Sequence, residues 1–75
     1  MVFETICALL AEQLACELSR ITPSTVILED LEMETADLAE LMLLLEQEFA
    51  IEWTDEDLTA IETVGDLTRF IEGQL

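Results

Sequence analysis

Few residues in this chain have side chains suited to chemistry. Its 75 residues include no histidine, tyrosine or lysine, so the usual general bases and amine nucleophiles are missing. Two cysteines are present, Cys7 and Cys16. Nine positions apart on a helix, they would stand about 13 Å apart along the axis and on opposite sides, too far to pair. They read as small apolar residues with free thiols. The remaining candidates are hydroxyls and 18 carboxylates. Paired carboxylates alone could support glycosidase-type hydrolysis, but so short a chain leaves little room for a substrate cleft. Asp55-Glu56-Asp57-Leu58-Thr59-Ala60 superficially suggests a calcium loop. Alanine stands at the sixth position, where the sharp turn needs glycine, so the run reads as the acidic first turn of a helix and no metal site is expected. Catalysis by this chain alone is not expected.

The charge narrows the partners. Two arginines, Arg20 and Arg69, face 18 acids, a net charge of −16. Such a field repels nucleic acid and anionic membranes and favours partners with basic patches, met in fast, salt-sensitive encounters. It also strains the compact state, and salt or divalent cations should relieve that strain. Hydrophobic residues make up 52% of the chain, ample for a folded core, although a domain of this size buries only about 60% of its unfolded surface. With no basic leader, transit-like segment or long apolar run, the expected location is cytoplasmic.

The elements that would hold these residues are helices, in one domain over 1–75. Phe3, Ile6, Leu10 and Leu14 recur at steps of three and four, marking a first helix from Val2 to about Ala15. Residues 17–34 mix Ser, Thr, Pro and acids, and Thr22-Pro23-Ser24 breaks any helix there. Ile21, Ile27 and Leu31 should pin this long loop, which by its length has a function or carries a short helical turn. A second helix is expected over 35–50, with Thr35 suited to be its N-cap. Thr54 with Asp57, and Thr63 with Asp66, have the spacing of capping boxes opening a short third and a final helix. The final helix should turn Val64, Leu67 and Ile71 inward and end at Gly73. The expected fold is all-α: a small bundle of three main helices plus one short helix, with a long loop between helices 1 and 2.

Advancing about 100° per residue from Asp37 places Leu38, Leu41, Met42, Leu45 and Phe49 between about 40° and 140°, the core face of the second helix. Ala36, Ala39 and Leu43 fall between about 200° and 260°, away from it. Glu40, Glu46 and Gln47 flank them. One exposed leucine among alanines is ordinary on a helix surface, but a small apolar strip rimmed with acids is also how a transient docking surface is built.

The run Leu28-Glu29-Asp30-Leu31-Glu32-Met33-Glu34-Thr35-Ala36-Asp37-Leu38-Ala39-Glu40-Leu41, followed by Leu45-Glu46-Gln47-Glu48-Phe49, resembles acyl carrier proteins. Their pattern there reads E-D-L-G-x-D-S-L-D, then x-x-E-L, and ends in L-E-E-E-F. Ala11-Glu12-Gln13-Leu14 resembles the family's G-E-Q-L, Ile51-Glu52-Trp53-Thr54-Asp55-Glu56 its I-E-I-P-D-E, and Thr63-Val64-Gly65-Asp66 the T-V-G-D that opens its last helix. The order and spacing of these pieces cover nearly the whole chain.

The resemblance implies a carrier of acyl intermediates in fatty-acid, polyketide or related biosynthesis, held as thioesters on a 4'-phosphopantetheine arm. It puts arm attachment at Thr35 and partner recognition at Glu34, Ala36, Asp37, Ala39, Glu40, Leu43 and Glu46. The implied partners are synthases and acyltransferases with basic patches, and a phosphopantetheinyl transferase. The chain also departs from the pattern. Threonine replaces the attachment serine, its methyl restricting χ1 and crowding the oxygen. Ala36 replaces a large residue, and Glu32 replaces a glycine, where positive φ is costly. Trp53 stands for a smaller aliphatic, as a core filler or as a block to the acyl cavity, and Thr54 replaces proline. The alternative reading is a carrier-like module without the arm, docking on a synthase to regulate or scaffold it.

Overall fold

The computed structural model describes residues 2–15 and 17–75. Its elements are α1 (Val2–Leu14), a 3-10 turn (Leu18–Arg20), α2 (Ile27–Asp30), α3 (Thr35–Phe49), α4 (Asp55–Ala60) and α5 (Val64–Glu72). The four helices expected from sequence are α1, α3, α4 and α5. The long loop carries the additional one-turn α2, so two short helices accompany the three main ones.

The main helices form because each has one stripe to bury. Ile6 and Leu10 of α1, Leu41, Met42 and Leu45 of α3, and Val64, Leu67 and Ile71 of α5 are all fully buried in one core. Phe3, Leu14 and Phe49 pack at its edge. Ile21, Ile27 and Met33 are buried and Leu31 half-buried, so the loop is pinned as its apolar residues require.

Two caps follow the sequence. Thr54 Oγ1 accepts from the Asp57 N–H at 3.3 Å, while Asp57 Oδ2 accepts from the Thr54 N–H at 2.9 Å. Thr63 Oγ1 accepts from the Asp66 N–H at 3.0 Å, and Asp66 Oδ2 accepts from the Thr63 N–H at 3.1 Å. The Thr63 and Glu62 N–H groups, then the Thr63 hydroxyl and Arg69, hold the Asp66 carboxyl below its ordinary range. The cap of α3 differs from expectation. Glu34 is the N-cap and Thr35 the first helical residue, with Asp37 Oδ2 accepting from the Glu34 N–H at 3.1 Å. Because Asp37 reaches back to position 34, Thr35 is left with its hydroxyl free of the capping role. α5 ends before Gly73 as expected, but Gly73 is right-handed (φ −67°), so its special freedom is not used.

Glu32 does adopt the left-handed conformation (φ 53°) that a glycine would hold without strain. The reason lies around it: α2 ends at Asp30, the Met33 N–H must donate to the Leu28 carbonyl at 3.0 Å, and Met33 is buried. Glu32→Gly should therefore raise stability by about 1 kcal/mol in urea unfolding, and more than Glu32→Ala, which removes the same charge but keeps the strained backbone.

The loop is clipped to the α4–α5 junction by backbone bonds. The Ile27 N–H donates to the Glu62 carbonyl at 2.9 Å, the Val64 N–H to Thr25 at 3.0 Å, and the Gly65 N–H to Pro23 at 2.9 Å. A Cβ at Gly65 would lie 2.9 Å from that same Pro23 carbonyl oxygen. Gly65→Ala must then push apart two backbones joined by three hydrogen bonds. It should cost about 1–3 kcal/mol in thermal or urea unfolding. At the opposite end of the chain, Gln74 pairs with the Glu52 backbone, accepting from its N–H at 3.1 Å and donating to its carbonyl at 2.7 Å.

Cys7 is buried, and desolvation, with the Glu4 charge, pushes its thiol up, which makes it an inert apolar filler. Cys16, and with it the expected separation of the two cysteines, lies outside the described residues. Trp53 packs half-buried against the core with its indole N–H buried and unpartnered.

Candidate functional site

The first turn of α3 borders a cleft of about 500 Å³ lined by Val26, Leu28, Glu29, Thr35, Leu38, Leu58, Thr59, Ile61 and Glu62. Three segments meet there: the clipped loop with α2, the start of α3, and the end of α4. The backbone clip holds the loop and α2 against the α4–α5 junction, and residues of α2, α4 and the start of α3 line the cleft together. Thr35 is exposed and lines this cleft. The residue is thus both accessible to solvent and beside a largely aliphatic recess. Trp53 is not among the lining residues, which favours its role as core filler.

The other residues expected to matter fall into two groups. Glu34, Ala36, Glu40 and Leu43 are exposed, and Ala39 and Glu46 are half-buried on the same helix. They form the acid-rimmed strip read from the helical wheel. Asp37 is different. Its carboxylate caps α3, and its backbone carbonyl accepts from Gln13 Nε2 at 3.1 Å, tying α3 to the end of α1. Its first duty is structural.

Near this site, two exposed leucines were missed by sequence reasoning. Leu44 is 40% exposed beside Leu43 at 54%, and Leu28 is 38% exposed at the cleft. Leu44 had a signal, since its wheel angle of about 340° lies off the core face. Leu28 had none, because its burial depends on how far α4 stands from α2.

Among the described residues no group of three or more His, Cys, Asp or Glu side chains could hold a metal ion. No helix among them is long and apolar enough to cross a membrane.

Residues 4–71 match the family described as "Phosphopantetheine attachment site". The chain belongs to that family. Over 70 residues it is 37% identical to "Acyl carrier protein" of Helicobacter hepaticus, covering 93% of this chain and 92% of that protein. Its fold matches the solved acyl carrier protein from Enterococcus faecalis with a TM-score of 0.86, at 30% identity, covering 99% of this chain and 94% of that one. Acyl carrier proteins present a bound group to enzymes and are not enzymes themselves. At the start of α3 this chain has a threonine, Thr35, that is exposed and lines the cleft.

Proposed function

We propose that residues 1–75 form a single carrier domain whose Thr35 bears 4'-phosphopantetheine, and that it carries acyl intermediates in fatty-acid, polyketide or related biosynthesis. The reading rests on one observation above others: the exposed Thr35 hydroxyl opens α3 at the rim of the apolar cleft. When bound, the arm supplies a terminal thiol on which an acyl group rides as a thioester. The chain's own contribution is positional. Thr35 Oγ1 provides the attachment oxygen. The neighbouring chain holds no histidine or lysine, so the base that takes its proton belongs to the transferase. Asp37 holds the first turn of α3 in place, and the cleft shelters cargo from water.

The partners in this reading are a phosphopantetheinyl transferase and basic-patch synthases and acyltransferases of the cytoplasm. Glu34, Glu40 and Glu46 meet the basic patch, and Leu43 with Ala36 and Ala39 meets an apolar dimple within it. Leu43→Asp and Glu40→Lys should each weaken binding to a synthase or transferase about tenfold or more while leaving the thermal midpoint nearly unchanged, because both side chains are exposed. Calorimetric titration beside a thermal scan checks both halves.

Intact mass after co-expression with several phosphopantetheinyl transferases tests attachment. A gain of one arm on Thr35 is the expected result. No gain with any of them, while a Thr35→Ser chain is loaded, would establish instead the armless module that docks on a synthase to regulate or scaffold it.

A further inference from the structure

The cleft beside Thr35 has a polar lining of one sign. Glu29 and Glu62 are its charged residues, Thr35 and Thr59 add hydroxyls, and neither arginine of the chain lines it. Arg69 lies on the α5 side, paired with Asp66, and Arg20 lies in the 3-10 turn. The rest of the lining is aliphatic: Val26, Leu28, Leu38, Leu58 and Ile61. Around all of this is the field of a chain at −16.

We propose that this cleft selects cargo by the charge of its free end, admitting chains that end in a methyl or an ammonium and excluding chains that end in a carboxylate. A carboxylate drawn into the cleft would leave water for an aliphatic wall, find no cation, and face two like charges. An ammonium of the same size gives up the same hydration but meets Glu29 and Glu62 as partners. A methyl end gives up nothing and buries apolar surface. The two hydroxyls accept or donate to either ion and do not discriminate. The proposal deepens the carrier reading and rests on it for the identity of the occupant, but the cleft can be probed without the arm.

In a Thr35→Cys, Cys16→Ser chain, the thiol at 35 is accessible while Cys7 is buried with its thiol pushed up. Methanethiosulfonate reagents then tether a hexyl, a 6-aminohexyl or a 5-carboxypentyl group at the rim, holding each at high effective concentration. The readout is the amide shift of Leu38, Leu58 and Ile61 in ¹H–¹⁵N spectra, relative to a methylthio control. Hexyl and aminohexyl tethers should shift all three, and the carboxypentyl tether should leave them at control positions. Glu29→Gln with Glu62→Gln should let the carboxypentyl group in. Both glutamates are exposed, so the fold should tolerate the change. Equal shifts from the carboxypentyl and hexyl tethers would overturn the proposal. So would exclusion of the aminohexyl tether along with the carboxypentyl one, since the barrier would then be polarity rather than sign. The carrier reading fails separately, by the absence of a mass gain at Thr35.

Discussion

A Thr35→Ala chain co-expressed with a phosphopantetheinyl transferase should show no mass gain at all, and a Thr35→Ser chain should be loaded faster than the native one. The loss in the alanine variant is complete because no other hydroxyl shares the position. Asp37 caps α3 through the Glu34 N–H, so Thr35 is not needed to start the helix. The alanine variant should therefore keep its thermal midpoint within the few tenths of a kcal/mol usual for exposed helical sites. That separation decides the matter. Had Thr35 been the N-cap, its removal would cost about 1 kcal/mol and blur a functional loss with a structural one. The gain with serine follows from the γ-methyl, which limits χ1 and stands beside the attacking oxygen. The geometric penalty should appear as a slower loading rate for threonine, about tenfold for each 1.4 kcal/mol of added barrier. Time-resolved intact-mass measurement of the three chains checks all of this. Equal rates for serine and threonine would show that the transferase ignores the methyl.

Leu41→Ala should have the largest effect on stability. Leu41 is fully buried in α3, at the centre of the face that meets the shared core. Removing it leaves a cavity in the shared core, at a cost of about 3–5 kcal/mol. A chain of this length has only about 4–11 kcal/mol of stability to begin with. Its high negative charge places it towards the lower end. The variant should be unfolded or nearly so in low salt, regaining structure as salt screens the repulsion. Circular dichroism across a salt series measures it. A variant as stable as the native chain at low salt would mean that the core is looser than its burial implies. The contrast with Leu43→Asp, two positions along, separates the core face of α3 from its exposed face.

Much of the fold was legible because its signals are local. The capping boxes at Thr54/Asp57 and Thr63/Asp66 need only two residues three apart, and both form. The core stripes of α1, α3 and α5 need only periodicity, and Leu41, Leu45, Leu67 and Ile71 are fully buried as expected. The acid-rimmed strip on α3 follows from the same wheel. Thr35 was found from motif order and spacing, since a threonine before a helix ordinarily reads as a cap.

Other features depended on how the folded chain packs. The left-handed Glu32 is held by the local bond from the Met33 N–H to the Leu28 carbonyl, fixed in turn by the burial of Met33 in the core. Glu34 displaced Thr35 as the cap because Asp37 turned back to bond its N–H. The cleft itself has no sequence signature: Leu28 of α2 and Leu58 of α4 are 30 positions apart, brought to the same recess by hydrogen bonds between Ile27 and Glu62 and between Val64 and Thr25. The sequence by itself thus determined the main helices, the caps of α4 and α5, the acid-rimmed strip on α3 and the place of Thr35 at the start of that helix. Each of these is encoded by neighbours within a turn or two. Only the tertiary structure decided that this hydroxyl stands beside an apolar recess with two carboxylates and no cation, because the recess is the space between segments that meet only once the chain has folded.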